Sequence, residues 1–343
     1  MTDYTYRPLL KAKQGEFGAL GTLDDGVREA LTPIMEALPD HADDAEKFVK
    51  PMVKVWPVAV PFLLDYRLAE AKAAAALSRA ADRLADEGRI VVPVVAISRP
   101  EEYTRTAAAV ARRHKAGAAI RLSADDIGDV DELPGVLDSL LSRLRLDSSE
   151  TDVLIDLYAF TPAHVGAMTT ASVAAIRSLP RLAEWRSVTV MGTSFPETLS
   201  AVKPDTVAKL PRAEWRVWDR IRTRTLPRQP DFGDYGVNHP ELPDVDPRYM
   251  TMSANLRYTV EDNWLVFKGR DVKKHGYEQF NSFCKKLVQM PEYAGEEFSW
   301  GDAAIRARCK GRSGPGNAST WRQIGTSHHL TFVVRELANP DGS

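Results

Sequence analysis

Cysteine is almost missing from this chain: Cys284 and Cys309 are the two in 343 residues. That is too few for a disulfide framework or a cysteine-built zinc site, and it fits a reducing compartment. Long apolar runs are also absent, none reaching the ~18–20 residues that a membrane-spanning helix requires. The opening Met1-Thr2-Asp3-Tyr4 has neither a basic region nor an apolar core of the signal-peptide kind. A cytoplasmic protein with no membrane attachment is expected. Charge of one sign is lacking too. The formal net charge is −2 and the pI about 6.4, so no bulk electrostatic pull toward nucleic acid or membrane exists. No Gly-x-Ser-x-Gly elbow, phosphate loop or dinucleotide glycine fingerprint is present. Nothing supports a Ser-His-Asp or cysteine nucleophile.

What fills the chain is one repeated unit. Tyr6 to Glu16 reads as an apolar strand (Pro8, Leu9, Leu10) ending in Lys11 and Lys13, with Gly15 and Glu16 opening a helix. The same grammar returns at Pro33-Ile34-Met35-Glu36, Phe62-Leu63-Leu64-Asp65, Ala119-Ile120-Arg121 and Val153-Leu154-Ile155-Asp156. Further strands are expected at Arg89–Ser98, Arg186–Met191 and Phe232–Tyr235. Alanine-rich Leu68–Glu87 is the clearest helix, closed by Gly88. Hydrophobic residues at 44% and charged residues at 27% allow a full core. These alternating units predict an α/β fold, a TIM-like (β/α)8 barrel over residues 1–240. An open doubly wound sheet shares the alternation, but about eight units and the missing glycine fingerprint favour the barrel.

Beyond Asn238 the texture changes. Pro240, Pro243 and Pro247 mark a loop, and Arg257–Val260 with Trp264–Lys268 flank Asp262-Asn263 as a hairpin. Helical stretches at Tyr277–Val288 and Trp300–Lys310, a glycine-rich turn at Gly311–Asn317 and a final strand at His329–Arg335 complete the reading. Residues 241–343 are therefore expected to form a C-terminal α+β appendage or lid packed on the barrel. Its aromatics, Trp264, Phe267, Phe280, Phe283, Trp300 and Trp321 among them, need a surface to bury against.

In a parallel barrel the carboxyl ends of all strands meet at one mouth, which makes the strand-end charges the candidate site. Asp156, Glu36 and Asp65 are candidate catalytic groups, as proton-transfer carboxylates or as oxygen ligands of the kind magnesium prefers. Lys11, Lys13, Arg67 and Arg121 are candidate phosphate-binding cations. The plainer alternative is a set of structural ion pairs closing the mouth. Thr193 and Ser194 follow the seventh strand, where barrels often hold phosphate, although any turn there favours the same small residues. His328 is a further candidate ligand-binding residue; if His328 and His329 lie on a strand, only one can face a given site. Lys268, Arg270, Lys273 and Lys274, beside Trp264 and Phe267, could track a nucleic-acid backbone or simply form a solvated face.

Several short motifs join this pattern: Pro8-Leu9-Leu10-Lys11 with Gly15-Glu16, Ile155-Asp156-Leu157, Ser194-Phe195-Pro196 and Arg212-Ala213-Glu214. Gly233-Asp234-Tyr235, Ser299-Trp300-Gly301-Asp302 and Ser327-His328-His329-Leu330 extend them. Together they resemble the prokaryotic beta protein family, over nearly the whole chain. The resemblance implies a setting in phage-related, mobile or defence-associated gene neighbourhoods and carries over no catalytic residue. The expectation is a protein of phage–host conflict whose charged mouth binds or processes a phosphorylated ligand, a nucleotide or a nucleic-acid end. A non-catalytic scaffold subunit of a defence or phage complex, with its protein partner encoded nearby, is the alternative.

Overall fold

The computed structural model describes residues 4–128, 131–242 and 252–340; Pro243 and Pro247 lie outside the described residues. The strands are β1 (Tyr6–Lys11), β2 (Ile34–Glu36), β3 (Pro61–Asp65), β4 (Ile90–Val95), β5 (Ala118–Leu122) and β6 (Thr151–Ala159). They continue as β7 (Ser187–Thr193), β8 (Thr206–Pro211), β9 (Asp231–Asp234), β10 (Ser253–Val260) and β11 (Asn263–Asp271). Eight of them close a parallel barrel in the order β1-β2-β3-β4-β5-β6-β7-β9, the last pairing back onto β1. The expected TIM-like barrel is what forms. Among the described residues no helix is long and apolar enough to cross a membrane.

Strand period decides the interior. Leu9, Ile34, Leu63, Val92, Val94, Ala119, Leu154, Met191 and Tyr235 pack together as the apolar plug inside the barrel, while their sequence neighbours join the layer between strands and helices. Two residues beyond a plug residue a side chain faces inward again. That position is Lys11 after Leu9, Glu36 after Ile34, Asp65 after Leu63, Arg121 after Ala119 and Asp156 after Leu154. The register aligns Lys11 with Glu36, and Glu36 with Asp65. A charged layer thus sits on the apolar one. Two residues before the plug, Arg7 and Asp152 close the opposite end with Asp231 and Arg186.

The eighth barrel strand is β9, at the Phe232–Tyr235 segment expected for it. Missing from the expectation is β8, which leaves the barrel and pairs antiparallel with β11 to complete a sheet of order β10-β11-β8. Its core holds Leu256, Tyr258, Phe267, Phe280, Phe283 and Trp321. The other face places Trp264 and Val266 against Phe195 and Val237 of the barrel.

One expectation is overturned. His329–Arg335 is not a strand but the last half of the helix Ala318–Ala338. Thr326, Thr331, Val333 and Val334 give it a β-rich look, yet Asn317 caps the start by accepting from the Thr320 N–H. The helix is buried on most sides: Trp321 and Ile324 enter the appendage core, Leu330, Val333 and Leu337 the barrel core. It lies close to the barrel helix Gln14–Leu20, where a Cβ added at Gly15 would stand 2.6 Å from Arg322 Cγ.

Entry into β5 depends on Gly117, whose φ is +66° and whose added Cβ would lie 1.8 Å from the Glu150 carbonyl oxygen. Gly117→Ala is expected to cost at least about 3 kcal/mol in chemical denaturation, as both backbone strain and a clash must be relieved. Gly135→Ala, inside the helix Leu133–Leu144 with nothing within 4 Å, is expected to gain about 0.5–1 kcal/mol.

Candidate functional site at the barrel mouth

Arg121 is the centre of the charged layer, buried at the carboxyl end of β5. Its Nε donates to Asp156 Oδ2 at 2.8 Å, and its Nη1 donates to Asp65 Oδ2 at 2.7 Å and Glu36 Oε1 at 3.3 Å. Its Nη2 donates to the Tyr235 hydroxyl at 2.8 Å, which in turn donates to Asp156 Oδ2 at 2.7 Å. Burial alone would disfavour the charge on Arg121. The Tyr235 phenol and the carboxylates of Asp156, Asp65 and Glu36 outweigh that and hold its pKa above the usual arginine range.

A second ring of cations stands around these acids. Arg67 Nε donates to Glu36 Oε1 at 2.8 Å, and Arg99 Nη2 to Asp65 Oδ1 at 2.9 Å. Asp65 Oδ1 also accepts from the Arg67 backbone N–H, and Asp156 Oδ1 from that of Tyr158. Lys11 Nζ donates to the backbone carbonyls of His239 and Glu241, which draw the segment after β9 across the mouth. Burial pulls the Lys11 ammonium down to about 8. Two residues here hold left-handed backbone without being glycine: Glu70 at φ 47° and Tyr158 at φ 56°. Tyr158 also donates its hydroxyl to Glu241 Oε1, and the Arg67 guanidinium lies 5.6 Å from its ring centre.

Between these groups a cavity of about 230 Å³ opens, lined by Asp65, Arg67, Arg99, Arg121, Asp156 and Tyr158 with the hydroxyls of Ser98 and Ser123. Two polar atoms at the mouth are buried without a hydrogen-bond partner, Arg67 Nη2 and Glu36 Oε2.

The structure therefore brings Lys11, Glu36, Asp65, Arg67, Arg121 and Asp156 to one end of the barrel. Lys13 lies past the end of β1, exposed. Thr193 and Ser194 bond within the protein: Thr193 Oγ1 donates to the Asn238 carbonyl, and Ser194 donates to Glu214 Oε2 through both N–H and hydroxyl. His328 is remote from the mouth, buried in the appendage with Nδ1 2.8 Å from Asp302 Oδ2 and its ring stacked 3.7 Å from Tyr258. Because its segment is helical, His329 is buried as well and reaches a different acid, Asp234, at 2.8 Å. The three mouth carboxylates surround a guanidinium, and among the described residues no group of three or more His, Cys, Asp or Glu is placed to hold a metal ion. Arg99, Tyr158 and Tyr235 were missed among the site candidates. Arg99 and Tyr235 lie a few residues past β4 and directly past β9, where the strand-end rule that found the others applies equally.

Fold and mouth together define the class: a TIM-like (β/α) barrel with a buried ionic layer at its carboxyl end and an α+β unit docked beside it. The chain belongs to the Beta protein family, whose model matches residues 6–335. No curated protein matches it.

Removing Arg121 would leave three buried carboxylates without their common cation. Arg121→Met is expected to lose about 3–5 kcal/mol at pH 8. Chemical denaturation of the native and variant proteins checks it. Glu214 offers the opposite sign. Burial pushes its carboxyl up to about 7, so the folded chain holds a proton that the unfolded chain releases between the usual carboxylate value and 7. Its contribution to stability is present at low pH and lost as pH rises to 7. Glu214→Gln should therefore gain stability relative to the native chain between pH 4.5 and 8, by up to about 3 kcal/mol.

Proposed function

We propose that the barrel mouth binds a phosphorylated ligand, a nucleotide or a nucleic-acid end, in the cytoplasm during phage–host conflict. The observation that carries this reading is the state of Arg67. Its Nη2 is buried at the mouth with no partner, and a buried donor left unsatisfied costs about 1–3 kcal/mol. A phosphate oxygen would satisfy it, and a phosphate or sugar hydroxyl reaching past Arg67 would satisfy the buried Glu36 Oε2. Arg99 and the hydroxyls of Ser98 and Ser123 line the cavity from the other side, and guanidinium forks suit phosphate geometry. In this reading Arg121 fixes the site, while Arg67 and Arg99 hold the ligand. Asp65 and Asp156, with every oxygen bonded, orient these cations, and any proton transfer falls to Glu36. The phage–host setting is supported by the neighbourhoods that the family resemblance implies.

One observation favours the scaffold alternative. The acids and Arg121 satisfy one another almost fully, as a closed structural network would. Calorimetric titration with inorganic phosphate and with nucleoside monophosphates separates the two. The native chain is expected to bind, and Arg67→Gln with Arg99→Gln to weaken binding at least tenfold without a change in melting temperature beyond a few degrees. No measurable binding by the native chain would leave the scaffold reading standing.

A further inference from the structure

A second cationic group lies where the appendage meets the barrel, outside the mouth cavity. Arg257 on β10 donates through Nη1 to the Val237 carbonyl at 2.5 Å, and Arg322 on the helix Ala318–Ala338 donates through Nη1 to the same oxygen at 3.5 Å. Two guanidiniums thus converge on one neutral acceptor. Arg257 also donates to Asn255 Oδ1 at 3.0 Å and lies 4.4 Å above the Phe195 ring, but it forms no ion pair with a carboxylate among the described residues. The nearby acid is Glu16, whose Oε1 is 3.8 Å from Arg322 Nε and accepts from Asn238 Nδ2 at 3.3 Å; its Oε2 is buried without a partner. Lys13, exposed past the end of β1, adds a third cation, attracted by Glu16 and repelled by Arg322. Burial and the proximity of Arg322 pull the Arg257 pKa well below the usual arginine range.

Like charges gathered in a partly buried seam oppose folding unless an anion joins them. Three cations against one acid leave room for such an anion, and among the described residues neither arginine donates through Nη2. The group adjoins the mouth through the segment after β9: Arg257 and Arg322 donate to the Val237 carbonyl, and Lys11 to those of His239 and Glu241. One phosphate cannot serve both ends of this row. A chain of phosphates can.

Resting on the mouth reading above, we propose that Lys13, Arg257 and Arg322 form a second oxyanion site, which takes an internal phosphate of a single-stranded nucleic acid whose terminal phosphate lies in the mouth. A cavity of about 230 Å³ has no room for a duplex. Phosphate contacts carry such binding and make it salt-dependent.

The test is fluorescence anisotropy with a dye-labelled, 5′-phosphorylated single-stranded oligonucleotide, beside calorimetry with inorganic phosphate. Arg257→Gln with Arg322→Gln is expected to weaken oligonucleotide binding at least tenfold, to lower the log–log salt slope by about 1.4, and to leave inorganic phosphate binding unchanged. Should that double variant misfold, Lys13→Glu, at an exposed position, is expected to weaken the oligonucleotide severalfold with phosphate binding intact. Oligonucleotide binding unaffected by these changes, or a duplex bound as tightly as the single strand, overturns the proposal and leaves the mouth reading in place. Phosphate bound without the oligonucleotide does the same. An oligonucleotide bound through Arg257 and Arg322 with no phosphate affinity at the mouth upholds the seam and removes the mouth reading.

Discussion

A guanidinium inside a barrel is tolerable only when anions reach it from several directions. Moving one charge out of water costs several kcal/mol, and the return depends on geometry. Arg121 comes from β5, its acids from β2, β3 and β6, and its phenol from the residue after β9. The network is therefore complete only when these strands are in register around the ring. A slip of one residue in β5 would turn Arg121 into the apolar layer under the helices and Ile120 or Leu122 into the mouth. The ionic layer specifies the same register that the apolar plug below it favours by volume.

Two residues shortly past this layer in the chain, Glu70 and Tyr158, hold positive-φ backbone. Tyr158 and Glu70 both hold left-handed conformations that cost non-glycine residues of order 1 kcal/mol or more. At Tyr158 the compensation is visible: its N–H is held by Asp156 and its hydroxyl by Glu241. The bulge that interrupts the β6–β7 pairing lies at the same place, between Asp156 and Ala159. Positive-φ residues, unpartnered polar atoms and a cavity of about 230 Å³ come together at the mouth, while Arg7, Asp152, Arg186 and Asp231 pair across the opposite end.

Much of this was readable from the chain, for an identifiable reason. An apolar strand residue followed two positions later by a charge is a barrel-interior signature, and five strands display it, at Lys11, Glu36, Asp65, Arg121 and Asp156. That rule gave both the fold and most of the mouth. It failed where local pattern and final environment disagree. Strand β8 has no fully buried residue and joins a sheet built largely from residues about fifty or more positions later. The helix Ala318–Ala338 is buried on nearly every side, so it lacks the apolar stripe by which helices are recognised, and its threonines and valines read as strand. With that helix misread, the two histidines were assigned opposite faces, whereas both are buried and each has its own carboxylate. Arg257 and Arg322 could not be found at all, since nothing in a hairpin or a helix announces that two distant arginines will share a carbonyl.

The helix Ala318–Ala338 has one more consequence, for the order of events during synthesis. Leu330, Val333 and Leu337 fill part of the barrel core, and His329 bonds Asp234 and Tyr6 at the closing strands. A ribosome that has finished all eight barrel strands has therefore not yet supplied the barrel's last wall. Until the final hundred or so residues emerge, the seam between β9 and β1 stays uncovered, with apolar surface and a buried-to-be acid facing water. Chains in that interval are the ones most exposed to aggregation and to chaperones, so the pace of translation over the appendage sets how long the unfinished barrel has to wait.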